Sequence, residues 1–86
     1  MKVDLNIFIA KIEAEFDELP RGILTESSRY KEVLNWSSIN SVVMATMIEF
    51  EYGVMLTAGD FNKTLTLKDL ASLIQLQANT NGASLR

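Results

Sequence analysis

Neither cysteine nor histidine occurs in this chain of 86 residues, so its chemistry is left to hydroxyls, carboxylates and lysines. The missing cysteines exclude disulfide frameworks, thiolate metal sites and thiol nucleophiles. The missing histidine removes the side chain that titrates nearest neutral pH and the commonest metal ligand. The close carboxylate sets, Glu13 with Asp17 and Glu49 with Glu51, stand at helix-surface spacings. Nothing marks them as a pair held in an apolar pocket with separated pKa values, which acid–base catalysis requires. The expectation is a protein that is not an enzyme and holds no metal. What remains is a hydroxyl pair, Ser37-Ser38, directly ahead of an apolar run. Taken alone, two serines there read as a helix cap.

The elements that position this pair follow from the apolar pattern. Leu5, Phe8, Ile9, Ile12 and Phe16 recur at spacings of three and four, predicting a helix from about residue 3 to 18 that ends before Pro20 and Gly22. Residues 19–36 form a long connection too apolar to be a free linker, pinned by Ile23, Leu24, Tyr30, Val33 and Leu34. Ser28 is placed to cap one short helical turn in it, and Trp36 to anchor its end. Ser37 is the N-cap of the second helix, with Ile39, Val42, Val43, Met47 and Phe50 as its inward stripe and Gly53 at its left-handed stop. A brief helical turn is expected around Gly59–Asn62. Thr66 then caps the last helix, with Asp69 at the third helical position, and Leu67, Leu70, Ala71 and Ile74 form its buried face. After Gln77 the sequence turns polar.

The fold class is therefore all-α: an up-down helical bundle of three main helices, one short helix and a long first loop. Residues 1–78 read as a single helical domain and 79–86 as a flexible polar tail. At 48% hydrophobic residues the chain can build a core of its own. The net charge is −3, and the eight basic residues are scattered, without the basic stripe that nucleic-acid binding needs. No apolar run approaches the length of a membrane span, and the N-terminus lacks the layout of a signal peptide. A cytoplasmic monomer is expected.

With the elements in place, their order resembles the acyl carrier protein family. In that family a long first loop precedes an Asp-Ser-Leu motif at the start of the second helix, and the serine carries a prosthetic group. The matching stretch here is Ser37-Ser38-Ile39, followed by Asn40. Glu49-Phe50-Glu51-Tyr52-Gly53-Val54 is similar to the acidic–aromatic end of the family's second helix, and Lys63-Thr64-Leu65-Thr66-Leu67-Lys68-Asp69-Leu70 to its entry into the last one. The resemblance spans roughly residues 3 to 76. It departs at position 37, serine where aspartate is usual, and at Asn40, which replaces another common acid.

The resemblance implies a carrier with 4'-phosphopantetheine on Ser38, attached from coenzyme A by a phosphopantetheinyl transferase. It further implies acyl- or aminoacyl-loading ligase and synthase partners, with the cargo held as a thioester. Fatty acyl, polyketide, aminoacyl and D-alanyl carriers share the architecture. By the same resemblance Asn40, Met44, Glu49 and Glu51 are candidates for partner docking, and Met44, Met47, Ile48 and Val54 for sheltering the cargo. Two alternatives stay open: a carrier-like helical interaction module that is never modified, and a small enzyme using carboxylates.

Overall fold

The computed structural model describes residues 3–84, with side chains through residue 79. The described residues form five helices: α1 (Leu5–Glu15), α2 (Tyr30–Val33), α3 (Ser38–Tyr52), α4 (Ala58–Lys63) and α5 (Leu67–Ser84). The described residues are all helix, turn and loop, a small all-α bundle in which α1, α3 and α5 each pack on the other two. The two short helices lie in the connections.

Local chemistry explains most boundaries. Asp4 caps α1, its carboxylate accepting from the Asn6 and Ile7 N–H groups at 2.9 and 3.1 Å. Phe8, Ile12 and Phe16 turn inward as their spacing predicts, with Leu5 and Ile9 partly buried beside them. Thr57 and Asp60 form a reciprocal capping box on α4. Thr66 and Asp69 do the same for α5: Asp69 N–H donates to Thr66 Oγ1 at 3.2 Å, and the Asp69 carboxylate accepts from the Leu65 and Thr66 N–H groups. All four residues expected on the buried face of α5 are in the core.

The long first connection is fastened rather than free. Leu24, Tyr30 and Leu34 are buried, and the carbonyls of Glu26 and Ser28 accept from Lys68 N–H and Leu67 N–H at the start of α5. Two expectations are corrected here. Ile23 is exposed and pins nothing. Ser28 does not cap α2: its hydroxyl accepts from Thr25 N–H at 2.8 Å and closes a tight local turn, while Arg29 stands at the N-cap without a side-chain bond. The helix content of the loop is the single turn of α2.

A third correction concerns the end of α5. The sequence reading stopped it after Gln77, but the backbone continues helical to Ser84. Asn, Thr and Ser cost about half a kcal/mol each and Gly82 about 1 kcal/mol in a helix that is already nucleated, so neither polarity nor one glycine ends it.

Candidate functional site

Ser38 is the first residue of α3, and its side chain is exposed. The residue before it makes the cap: Ser37 is extended (φ −146°, ψ 171°), and its hydroxyl accepts from Asn40 N–H at 3.1 Å. Ser41 N–H donates to the Ser37 carbonyl at 2.9 Å, and Ser41 Oγ returns a bond to the Ser38 carbonyl at 2.8 Å. Among the described residues, the N–H groups of Ser38 and Ile39 have no partner. The helix therefore opens with two free donors and the positive end of its dipole beside the Ser38 hydroxyl, an arrangement that favours an attached anion.

The approach to Ser38 is held from below. Asn35 adopts a left-handed conformation, φ 53°. Asn40 Nδ2 donates back to the carbonyls of Leu34 at 2.8 Å and Asn35 at 3.3 Å, tying this bend to the first turn of α3. Trp36, half-buried, packs edge-on to Tyr30 at 5.4 Å between centroids and tilted against Phe61 at 5.2 Å. Tyr30 is fully buried, its hydroxyl 2.7 Å from Thr64 Oγ1 and donating to the Phe61 carbonyl at 3.3 Å. Burial pushes its phenol above the ordinary range, the Thr64 bond opposing this in part. Lys31 Nζ donates to the same Phe61 carbonyl at 2.7 Å. Loop, α2 and α4 thus meet under the start of α3.

The faces of α3 are the main departure from the sequence reading. Its buried side chains are Met44, Met47 and Ile48. Ile39, Val42 and Phe50, expected inside, are 74%, 63% and 86% exposed, with Met55 beyond the helix at 71%. Because α3 is apolar on both sides, the 3.6-residue period marks a helix without choosing its inner face. Met44, Met47 and Ile48 form the inward line, with half-buried Asn40 at one end of it and exposed Glu51 at the other. Met44, a candidate docking residue, is fully buried and offers a partner no surface. Asn40 spends its amide on the loop carbonyls. Glu51 pairs with Lys11 across to α1 at 2.8 Å, a bond that raises the lysine pKa. Of the docking candidates, Glu49 is the one that faces outward unengaged; neither carboxylate of α3 is paired with the other.

The candidates for sheltering a cargo are likewise closed. Met44, Ile48 and Val54 are fully buried and Met47 nearly so. What sequence reasoning missed is a shallow apolar depression of about 310 Å³ on the opposite face, lined by Ser38, Ile39, Val42 and Val43. The spacing of Ile39, Val43 and Phe50 carries the signal, but the sequence pattern alone assigns these residues to the core. Glu13 accepts from Gly22 N–H at 2.9 Å and so serves the loop. Among the described residues, no group of three or more carboxylates is placed to hold a metal ion, and no helix is long and apolar enough to cross a membrane. No family model, curated protein or solved structure matches the chain.

Proposed function

We propose that this chain is a carrier of the acyl-carrier type, modified on Ser38 by 4'-phosphopantetheine. The observation that supports the reading best is the setting of Ser38: an exposed hydroxyl on the first turn of a fifteen-residue helix, next to two unpartnered backbone N–H groups. A phosphodiester there gains the helix dipole and two donors without competing with the cap, because Ser37 and not Ser38 supplies the capping oxygen. In the attachment step the Ser38 hydroxyl attacks the pyrophosphate of coenzyme A within a transferase. The new Oγ–phosphorus bond forms as the adenosine bisphosphate half leaves, and the serine proton passes to the transferase or solvent. When attached, the arm supplies a terminal thiol that holds an acyl or aminoacyl cargo as a thioester. The chain itself does no catalysis: its part is to hold the arm, with loading ligases and synthases as cytoplasmic partners.

Intact mass after incubation with coenzyme A and a broad-specificity transferase tests this. A single phosphopantetheine adduct is expected, absent from Ser38→Ala. No adduct, or one that survives that substitution, would sink the reading.

One observation favours a second reading, an unmodified interaction module. Ile39, Val42, Phe50 and Met55 expose more apolar surface than a carrier with a charged docking helix requires. The same mass measurement separates the two.

A further inference from the structure

The depression at Ser38 has a composition that suits a guest. Ser38 forms its rim, Ile39, Val42 and Val43 its lining, and no charged side chain takes part. Along the same line of the helix, positions 39, 43, 46 and 50, exposed Thr46 follows the depression and exposed Phe50 lies one turn beyond it. The whole of α3 contains no basic residue, and its two acids are Glu49, beside the stripe, and Glu51, held by Lys11.

We infer that this outer stripe of α3 is the resting place of the cargo, and that the cargo is an apolar acyl chain. The inference rests on the carrier reading above and adds to it where the acyl group lies and of what class it is. Three considerations support it. The tether fixes the guest: a cargo at the end of an arm bonded to Ser38 is confined around the depression, at an effective concentration in the millimolar range. The reach fits. Twelve residues separate Ser38 from Phe50, about 18 Å along the helix. A phosphopantetheine arm of about fifteen chain atoms extends to about the same length at the spacing of an extended backbone. Every point of the stripe is then accessible to the thioester end. Finally, the alternative site is filled. Met44, Met47, Ile48 and Val54 form close-packed core, so a chain entering between the helices would have to displace them. A cationic aminoacyl group would gain nothing from the apolar lining.

The test does not require the natural modification. The chain has no cysteine, so Ser38→Cys supplies a unique thiol. It can be alkylated with a linker of the arm's length ending in either an octyl or a methyl group. Methyl and aromatic NMR signals are compared between the two adducts. The expected result is a shift difference at Ile39, Val42, Val43 and Phe50, absent from Met44, Met47, Ile48 and Val54, and lost in Val42→Asp. Differences in the core set would place the chain inside the bundle and overturn the inference. So would no chain-length dependence anywhere, which leaves the chain in solvent. So, too, would lines that broaden with protein concentration, which give the stripe to a second copy. If the unsubstituted chain fails to accept phosphopantetheine while the octyl adduct behaves as expected, the carrier reading fails and the apolar cradle stands.

Discussion

At the scale of single residues, the neighbourhood of Ser38 divides between side chains that do structural work and one that is spare. Ser37 caps, Asn40 ties the loop, Ser41 returns a bond to the backbone, and Ser38 is left with an exposed hydroxyl. The two buried tyrosine hydroxyls make a similar contrast. That of Tyr30 joins Thr64 and the Phe61 carbonyl, whereas that of Tyr52 is buried with no partner among the described residues. Tyr30→Phe should therefore cost about 1 kcal/mol of stability, the usual net value of a buried hydrogen bond. Tyr52→Phe should be neutral or slightly stabilising. Urea unfolding midpoints of the two variants, at equal slope, check the difference.

At the scale of elements, two glycines behave oppositely. Gly53 ends α3 in the left-handed region, φ 69°, with its N–H donating to the Glu49 carbonyl at 2.9 Å. Nothing lies within 4 Å of an added Cβ there, so Gly53→Ala pays for backbone strain alone, about 1–2 kcal/mol. Gly59 is helical in α4, where a Cβ would sit 3.6 Å from Thr57 Oγ1, an ordinary contact. Gly59→Ala should stabilise by about 0.5–1 kcal/mol by restricting the unfolded chain. Thermal midpoints moving in opposite directions are the expected reading. The elements also show what a sequence makes legible. Ser37, Gly53 and the Thr66–Asp69 pair were readable because caps and stops depend on residues within one turn. The inner face of α1 and of α5 was readable because each has a polar side to contrast with. The inner face of α3 was readable only in Met47 and the partly buried Val43, since the helix is apolar on both sides and only its neighbours decide which side is covered. For the same reason Ser38 was legible as a site while the depression beside it was not.

At the scale of the whole molecule, the ionisable groups set where the fold is stable. Backbone N–H donation from Thr57, the larger cause, holds the Asp60 carboxyl below its ordinary range; donation from Thr66 and Leu65 does the same for Asp69. The unfolded chain therefore takes up these protons first as pH falls past about 4, and binds more of them than the native state. Their contribution is present above that pH and is lost as pH drops through the lower native values. At the other end, burial raises Tyr30 and Tyr52. Both phenols stay neutral in the fold, so stability is retained below about pH 10 and lost as pH rises through their native values. Unfolding midpoints followed from pH 2 to 7 should fall on the acid side. The fall should be shallower in the doubly substituted Asp60→Asn, Asp69→Asn chain. An unchanged acid slope would mean that other carboxylates set it.

The two-sided character of α3 has a consequence for how the chain finds one native state. A helix that is apolar on two sides has a competitor in itself: turned by about two-fifths of a revolution about its axis, it would bury Ile39, Val42 and Phe50 in place of Met44, Met47 and Ile48. What separates the two orientations is polar: the turned helix would take Thr46 inside and would lose the contacts at the two ends of the inward line. Asn40 meets the loop carbonyls at one end, and Glu51 meets Lys11 at the other. Turned about, both would lose their partners. These two contacts act as a rotational key, adding little to the depth of the native well and much to its uniqueness.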